Sequence, residues 1–315
     1  MTAPRPRFPL LRIVDSDHGA TVRTPAKINL FLEILGRRPD GFHELVTLLH
    51  AVDFYDTVSL RTHGAGSDSL VVSGRPVPAG PENLVLRAVA RVRRDFDIPP
   101  LALTLEKQIP IGAGLGGGSG NAAGTLALLA HRFALPGGAD EWAQRAADLG
   151  SDVPFFLGDG VAVARGRGER LEDLAGPFLG GDDPFFVLLL PNRQSDTASA
   201  YRGLSLTLTC SDGPISFNPR AFLESQRWVT SMFNRLESSV WRAHPDLATL
   251  ANWLERAIGQ RWRMTGSGSA FFGVCFDANE ALGLCRQVVD HFRGGPLQVD
   301  ARVVRGLDAR TSLRC

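Results

Sequence analysis

The stretch I-P-I-G-A-G-L-G-G-G-S-G-N-A-A, residues 109–123, decides how the rest of this sequence is interpreted. It contains six glycines, follows an alternating apolar run at residues 101–105, and leads into an alanine-rich helical pattern over residues 121–133. A strand that turns through glycines into a helix presents a row of backbone N–H groups at the positive end of the helix dipole. Because glycine admits φ > 0 and lets a ligand approach the backbone, this pattern predicts a phosphate-binding loop.

Other interpretations of the glycine stretch fit less well. No Lys-Ser or Lys-Thr pair closes it, so it is not a Walker A loop. Gly112, Gly114 and Gly117 satisfy the spacing G-x-G-x-x-G, but that spacing alone does not establish a dinucleotide site. A flexible glycine-serine linker is the plainest alternative, although linkers are seldom framed so closely by a strand and a helix.

Composition indicates an ordinary soluble globular protein. The 315 residues suffice for two domains, and 44% of them are hydrophobic while 21% are charged. A net charge of +1 argues against a nucleic-acid partner, and no apolar stretch is long enough to span a bilayer. The four cysteines have neither metal-ligand spacing nor a disulfide pattern. We therefore expect a cytoplasmic protein without a signal peptide, a membrane partner or a protein-held metal cluster, as a monomer or homodimer.

Strand and helix patterns are mixed without a strict alternation, so the predicted fold class is α+β. Strands are expected at residues 21–35, 57–60, 69–72, 101–105, 160–164, 185–190 and 301–304, and on either side of residues 265–269. Helices are expected at residues 83–96, 121–133, 141–149, 240–258 and 279–292. The Gly/Asp/Pro-rich residues 180–184 predict a boundary between domains at 21–180 and 181–315, after a loose tail at residues 1–20.

Lysine is rare in this sequence. Of 34 basic residues only Lys27 and Lys107 are lysines. An ammonium group is a compact point charge, whereas a guanidinium is a broad planar fork, so such a chain keeps lysine where arginine does not fit. Lys27, set among apolar residues in T-P-A-K-I-N-L, is interpreted as functional. Lys107, just before the glycine loop, is either functional or a surface residue retained by chance.

Asp152, in the segment L-G-S-D-V-P-F-F-L at residues 149–157, is the candidate general base. The apolar residues that follow would withdraw this carboxylate in part from water. The bland alternative is that Asp152 or Ser151 caps a short helix that begins at the following proline. The two roles are compatible.

Phosphoryl transfer explains why a phosphate loop, a lysine and an aspartate belong together. The protein must hold the nucleotide, align the attacking oxygen and neutralise charge on the transferred group. A carboxylate close to the acceptor hydroxyl takes its proton, and a lysine keeps that carboxylate ionised. In this scheme the backbone amides hold the phosphates, Ser119 adds a hydroxyl at the start of the helix, and Mg²⁺ bridges phosphate oxygens.

Two further features concern the acceptor. Phe42 and His43 follow a Pro-Asp-Gly turn and would hold a flat nucleobase by stacking and edge hydrogen bonds, or they are a core Phe and a surface His. The T-G-S-G-S segment at residues 265–269 is a second glycine turn. It either brings more amides to a phosphate or is an ordinary hairpin turn.

With these residues collected, the sequence resembles the GHMP kinase superfamily. The likeness rests on P-I-G-A-G-L-G-G-G-S-G-N-A-A and on T-G-S-G-S-A-F-F-G-V, at residues 110–123 and 265–274. Within the superfamily the chain is similar to the branch whose alcohol acceptor carries a cytidine. That likeness rests on P-A-K-I-N-L-F-L, R-P-D-G-F-H-E-L and L-G-S-D-V-P-F-F-L, and the resemblance runs from about residue 24 into the C-terminal region.

The resemblance implies a two-domain GHMP kinase fold with the active site in the cleft between the domains. It also implies ATP- and Mg²⁺-dependent phosphorylation of a tertiary hydroxyl, at carbon 2 of a methylerythritol unit, in the non-mevalonate isoprenoid pathway. It assigns Asp152 as base, Lys27 as its partner and Asn29 as a helper, with Phe42 stacking on cytosine and His43 hydrogen-bonding to it.

The remaining site residues are also implied by the resemblance. The residues that would hold the ATP phosphates are Gly112, Gly114, Leu115, Gly116, Gly117, Gly118, Ser119, Gly120 and Asn121. Asn83 and Lys107 would lie near the adenine, and Thr197, Gly266 and Ser267 would contact the acceptor.

Three positions depart from the family pattern. Gly120 replaces a usual serine and would remove one phosphate-side hydroxyl. Asp196 replaces a usual serine before Thr197, and Arg235 replaces the carboxylate of an N-D-[LF]-E motif. These changes put phosphate coordination and the shape of the acceptor cleft in question. Lys27, Asp152 and His43 are unaffected.

Two alternatives stay open from the sequence. One is a GHMP kinase for another small alcohol, of the mevalonate or homoserine type, which would have no use for Phe42 and His43. The other is a nucleotide-binding module that does not catalyse, against which the Lys27/Asp152 pair argues.

Overall fold

The computed structural model describes residues 6–62, 66–174, 184–204, 217–225 and 228–307. Its strands are β1 (Ile13–Ser16), β2 (Gly19–Arg37), β3 (His43–Thr62), β4 (Ser69–Gly74), β5 (Leu101–Lys107), β6 (Val161–Gly166), β7 (Arg170–Asp173), β8 (Phe185–Pro191), β9 (Phe233–Asn234), β10 (Trp262–Met264), β11 (Phe271–Cys275) and β12 (Val299–Leu307). Its helices are α1 (Leu84–Arg93), α2 (Gly117–Arg132), α3 (Ala139–Ala147), α4 (Thr197–Arg202), α5 (Pro219–Glu224), α6 (Glu237–Ala243), α7 (Pro245–Ile258) and α8 (Ala278–Phe292). The predicted α+β class is confirmed.

Strand β3 is the hub of the N-terminal part. One edge pairs antiparallel with β2 along nearly its whole length. The other edge is shared in turn by β6, by the end of β12 and by β5. Because β3 and β2 are long and mostly buried, they carry the residues at positions 27 and 29 into the interior of the molecule.

The C-terminal part is built on the antiparallel strands β10, β11, β8 and β12, in that order. Strand β12 pairs with β8 over residues 299–305 and reaches β3 at residues 306 and 307. Strand β9 pairs in parallel with β2 at residues 31 and 32. These two strands tie the two parts of the chain together through backbone hydrogen bonds.

Apolar packing follows the same division. One core lies where α1, α2 and α3 cover the sheet, around the fully buried Trp142, Phe155 and Phe156. Another lies where α7 and α8 cover β8 and β11, around Leu250 and Val288. A third cluster joins residues of β2, β3 and β6 to residues of β8 and β11. The described residues contain no helix long and apolar enough to cross a membrane.

The predicted loose tail at residues 1–20 is wrong for most of its length. Strand β1 pairs with β2 over residues 13–16 and 19–22, while Leu10 and Leu11 are buried in the first core. Burial of these leucines and the backbone pairing offset the entropy lost on ordering the segment. Residues 1–5 and the predicted boundary at 180/181 lie outside the described residues.

Two helix boundaries differ from the sequence prediction for local reasons. Helix α2 begins at residue 117, four residues early, because Gly116 takes a left-handed conformation with φ of 68° and acts as its N-cap. The helix predicted over residues 240–258 is two helices, α6 and α7. Pro245 lacks an N–H to continue α6 and instead occupies the first turn of α7.

A buried polar cluster fixes the strand that leads into the glycine loop. Asp56 on β3 is fully buried and its carboxylate accepts hydrogen bonds from Lys107 Nζ and from Asn121 Nδ2, the latter at 2.9 Å. It also accepts from the backbone N–H groups of Gln108 and Ile109, at 2.7 and 2.8 Å. One carboxylate therefore joins β3, the end of β5 and the first turns of α2.

Replacement of Asp56 by alanine tests this cluster. The change leaves the Lys107 ammonium buried without its counter-charge, so we expect a loss of roughly 3–5 kcal/mol in the free energy of unfolding. Urea denaturation followed by circular dichroism measures it. Asp53→Ala is the matched control on the same strand. That exposed carboxylate accepts one surface hydrogen bond, from Arg305 N, and its loss should cost about 1 kcal/mol. Equal losses for the two variants would contradict this account.

Candidate active site

A cleft of about 1370 Å³ opens between the glycine loop, β2 and the C-terminal part of the chain. Every site residue predicted from the sequence lines this cleft except Gly120. Those that do are Lys27, Asn29, Phe42, His43, Asn83, Lys107, Gly112, Gly114, Leu115, Gly116, Gly117, Gly118, Ser119, Asn121, Asp152, Thr197, Gly266 and Ser267. Residues far apart in the sequence thus meet in one concave site.

Lys27 and Asp152 face each other in the cleft. Lys27 Nζ lies 3.8 Å from Asp152 Oδ2 and donates a 2.6 Å hydrogen bond to Asn29 Oδ1. Burial lowers the pKa of Lys27, and the charge of Asp152 opposes that shift. The Asp152 side chain is 42% exposed and precedes a 3₁₀ helix that receives no side-chain cap. The carboxylate is therefore free of a capping role and open to a ligand.

The Asn29 amide is held in one orientation by its neighbours. Its Nδ2 donates to Thr47 Oγ1 at 2.8 Å, and Thr47 Oγ1 in turn donates to Phe31 O at 2.7 Å. Its Oδ1 accepts from Lys27 Nζ and from Thr265 Oγ1, the latter at 3.2 Å. With nitrogen toward Thr47 and oxygen toward Lys27, Asn29 fixes where the ammonium sits.

The glycine loop packs closely against the rest of the protein. A side chain on Gly116, whose φ is 68°, would lie 2.9 Å from Phe156 Cζ and 3.0 Å from Lys27 Cγ. The carbonyl of Leu115 accepts from Lys27 N at 2.9 Å, and that of Gly112 accepts from Ser195 N at 3.0 Å. With the carbonyls engaged by the protein and the first N–H groups of α2 lacking helical acceptors, the loop is suited to anionic oxygens.

The second glycine segment, residues 265–269, docks directly on the first. Ser269 N donates to Gly112 O at 3.2 Å, and Ala270 N donates to Ala113 O at 3.1 Å. Thr265 Oγ1 also lies 3.2 Å from Gly114 O. The segment is therefore part of the cleft wall. It is also the turn of a hairpin, because it connects the antiparallel strands β10 and β11, and contact of its amides with a phosphate stays a prediction.

Asn83 and Lys107 line the cleft with their polar groups already engaged. Asn83 is the N-cap of α1, accepting from Val85 N at 3.0 Å, while its Nδ2 donates to Pro78 O at 2.6 Å. Lys107 is paired with Asp56, and burial lowers its pKa. It is not a surface residue retained by chance. The placement of both residues near an adenine stays a prediction.

Three aromatic side chains, of Phe42, His43 and Tyr201, line another part of the cleft. The rings of His43 and Tyr201 are 5.1 Å apart, and the guanidinium carbon of Arg167 lies 4.7 Å from the centre of the Phe42 ring. Phe42 is 52% exposed, which excludes the core alternative for it. Burial, and then the charge of Arg37, lower the pKa of His43 from its ordinary 6.5, so its imidazole is neutral at pH 7.

The three departures from the family pattern have structural explanations. The prediction that Gly120 removes a phosphate-side hydroxyl is wrong. A side chain on Gly120 would meet Pro25 O at 3.1 Å and Phe156 Cε1 at 3.6 Å, so a hydroxyl there would not face the cleft. Asp196 caps α4 by accepting from Ser199 N at 2.9 Å. Arg235 binds the carboxylate of Glu33 with two hydrogen bonds, at 2.6 and 2.7 Å.

Sequence reasoning missed Thr47, Asp56 and Tyr201, and it gave Thr265 no role of its own within the second glycine segment. Tyr201 closes the segment S-D-T-A-S-A-Y, whose final aromatic residue was a usable signal. Thr47 and Asp56 act through hydrogen bonds to residues far away in the sequence, so no local pattern marks them.

Comparison with known proteins agrees with this geometry. The chain matches the model of the GHMP kinases N terminal domain over residues 83–160. A crystal structure of 4-(cytidine 5'-diphospho)-2C-methyl-D-erythritol kinase is similar, with a TM-score of 0.70 and 33% identity over 91% of this chain and 99% of that one. A homoserine kinase from Cytophaga hutchinsonii shares the fold at 17% identity, with a TM-score of 0.64 over 94% and 98% of the chains. The protein is an ATP-dependent small-molecule kinase of the GHMP class.

Curated relatives identify the family within this class of kinases. A 4-diphosphocytidyl-2-C-methyl-D-erythritol kinase from Moorella thermoacetica is 38% identical over 83% of this chain and 92% of the relative. One from Porphyromonas gingivalis is 36% identical over 79% and 89%. The chain belongs to the family of 4-diphosphocytidyl-2-C-methyl-D-erythritol kinases.

Replacing Gly116 by alanine tests the close approach of the glycine loop. The new methyl group would meet Phe156 and the stem of Lys27 in a backbone conformation that alanine rarely adopts. We expect weaker ATP binding, measured by calorimetry, and roughly 10²-fold slower turnover. Gly283→Ala, in open space on α8, is the control and should leave both unchanged. Normal turnover by the Gly116 variant would contradict this interpretation.

Proposed function

We propose that this protein transfers the γ-phosphoryl group of ATP to the 2-hydroxyl of 4-diphosphocytidyl-2-C-methyl-D-erythritol, in the non-mevalonate isoprenoid precursor pathway. The observation that carries the proposal is the Lys27–Asp152 pair, 3.8 Å apart, in the cleft that the glycine loop and the aromatic residues also line. The names of the relatives, similar over most of the chain, support the acceptor.

Asp152 is the proposed general base. Its carboxylate is partly exposed in the cleft and forms no helix cap, so it is available to a hydroxyl proton. As the tertiary hydroxyl oxygen attacks the γ-phosphorus, its proton passes to Asp152 and ADP leaves. The negative charge of the Asp152 carboxylate acts on Tyr201. Burial, and then the charge of Asp152, raise the pKa of the phenol, which therefore stays protonated.

Lys27 is the proposed electrostatic partner. Its ammonium, fixed by Asn29, lies at contact distance from Asp152 and beside Gly266. There its positive charge attracts the carboxylate and counters the charge on the transferred phosphoryl group. Because the lysine is buried, little water screens either effect.

The glycine loop is proposed to hold the phosphates through its backbone N–H groups, with the Ser119 hydroxyl among them. The described residues include no group of three or more metal-ligating side chains. The Ser119 hydroxyl is a hard oxygen donor of the kind that Mg²⁺ takes, and in kinases Mg²⁺ keeps waters and binds phosphate oxygens with few protein ligands. Ser119 would hold the ion, and Mg²⁺ when bound would neutralise charge on the phosphates.

Phe42, His43 and Tyr201 are proposed to bind the cytosine. Two aromatic rings offer stacking faces, and a neutral imidazole both donates and accepts along the base edge. An acceptor of the mevalonate or homoserine type has no base for these groups. The likeness to a homoserine kinase extends to the fold alone.

Asp152→Asn tests the proposed chemistry. Asparagine preserves shape but cannot take the proton, so we expect kcat to fall about 10²–10⁴-fold with ATP affinity within about threefold of the wild type. A coupled ADP-release assay and calorimetry measure the two quantities. Asp159→Asn, which lies outside the cleft lining, is the control. Unchanged kcat in the Asp152 variant would remove the aspartate from the mechanism.

A substrate panel with the wild type decides the acceptor. We expect turnover of the cytidylylated alcohol and none of mevalonate or homoserine. The reverse result would reject the acceptor while leaving the kinase class intact.

His43→Ala tests the cytosine site. Loss of its hydrogen bonds should raise the acceptor KM roughly 10–100-fold with little change in the ATP KM. Because the pKa of His43 is lowered, the wild-type acceptor KM should stay flat as the pH falls through 6.5 and rise only below that. His18→Ala, exposed and outside the cleft lining, should behave as the wild type. Equal rises in KM for both substrates would disprove a base-specific role.

A further inference from the structure

The motif Asn234-Arg235-Leu236-Glu237 has no part in the mechanism so far, yet it holds the second glycine segment. Asn234 is 3% exposed, and its Nδ2 donates to Met264 O at 2.7 Å and to Gly266 O at 2.8 Å. Its Oδ1 accepts from Leu236 N at 3.0 Å, which locks the amide orientation. A carboxamide is the neutral side chain that can donate two such bonds and accept a third.

The two carbonyls to which Asn234 donates belong to the residues on either side of Thr265. Thr265 Oγ1 accepts from Asn29 N at 3.1 Å and contacts Asn29 Oδ1 and Gly114 O. Glu237 adds a further restraint, since its Oε1 accepts from Met264 N at 3.0 Å. Residues 264–266 are thus held by the motif on one side and by the reacting cleft on the other.

Small displacements of residues 264–266 would change the surroundings of the Lys27 ammonium. A side-chain carbon on Gly266 would lie 3.2 Å from both Lys27 Nζ and Asn29 Oδ1, so the backbone at Gly266 abuts the ammonium. Ser267 Oγ lies 2.9 Å from Thr197 Oγ1, another cleft residue. Asn234 itself does not line the cleft, so it acts through this segment.

The motif and the lysine are both connected to strand β2. Strand β9, which contains Asn234, pairs in parallel with β2, and the Arg235–Glu33 pair fastens it there. Strand β2 also carries Lys27 and Asn29. The segment at residues 264–266 is therefore set relative to the lysine through one strand.

We propose that Asn234 is a positioning residue for phosphoryl transfer, holding residues 264–266 so that the Gly266 backbone, the Lys27 ammonium and Asn29 keep their relative places. The expected effect on turnover rests on the proposed function. The expected effect on the structure of residues 264–266 does not.

The test compares Asn234→Ala with Ser239→Ala. Ser239 Oγ, on α6 and just as buried, lies 2.7 Å from Ala200 O and 2.9 Å from Leu236 O, and neither partner belongs to residues 264–266. In Ser239→Ala the carbonyl of Leu236 keeps Ser239 N and Val240 N as donors, whereas Asn234→Ala removes the side-chain donor of two carbonyls. We therefore expect a lower Tm in both variants, with the larger loss in Asn234→Ala. We expect kcat to fall roughly 10–100-fold in Asn234→Ala alone. Binding of a non-hydrolysable ATP analogue should stay within threefold of the wild type in both.

Amide hydrogen exchange measured by mass spectrometry supplies a readout independent of activity. Asn234→Ala should speed exchange in the peptide that covers residues 264–270, while Ser239→Ala should not. If Asn234→Ala does not fold, Asn234→Ser keeps one donor and should show the same effects at smaller size. Glu237→Gln, which keeps the acceptor for Met264 N, should retain wild-type kcat.

The outcomes separate this proposal from the proposed function. If the wild type does not phosphorylate the cytidylylated alcohol, the proposed function is wrong. The same variants are then assayed with the alcohol that the substrate panel identifies, and their hydrogen exchange is compared as before. Wild-type kcat and exchange in a folded Asn234 variant would overturn the positioning role. So would an equal loss of kcat in Ser239→Ala.

Discussion

The contact between the two glycine segments is the constraint on which the cleft depends. Their backbones pair through Ser269 N with Gly112 O and through Ala270 N with Ala113 O. A side chain on Gly114 would collide with the carbonyl of Thr265, so this approach requires glycine at that point. The two halves of the chain, about 150 residues apart, are thereby joined main chain to main chain where the reacting groups must meet.

The proposed mechanism needs few side chains in a large cleft. In it, backbone N–H groups supply the anion-binding face, so side chains are needed only for the proton and for countercharge. Hydrogen bonds such as Asn29 to Thr47 and Asp56 to Ile109 then fix the few polar groups. Because such bonds run between separate strands, the geometry survives only if the sheet registers are correct.

Local patterns in the sequence were sufficient to predict the glycine loop, the buried lysine of β2 and the aspartate before Pro154. Each lies in a short segment whose composition conflicts with ordinary packing, such as Lys27 among apolar residues. Asp56 and Thr47 could not be found this way, because they look like the common polar residues of a strand. Their roles come from partners 16 to 65 residues away, and no local periodicity in the sequence indicates such pairing. The same holds for Leu10 and Leu11, whose burial depends on helices much later in the chain.

The environments of the two lysines differ, and the difference supports a structural role for Lys107 and the proposed chemical role for Lys27. Each is 4% exposed, and burial lowers the pKa of both. Lys107 is bonded to a fully buried carboxylate that accepts three further hydrogen bonds, so its charge is compensated where it stands. Lys27 has a neutral amide as its hydrogen-bond partner, and its carboxylate lies 3.8 Å away and partly open to the cleft. A buried ammonium whose countercharge is incomplete gains most when an anionic group enters beside it. That difference in compensation, rather than the residue type, is the reason to propose that a phosphoryl group is stabilised at Lys27 and not at Lys107.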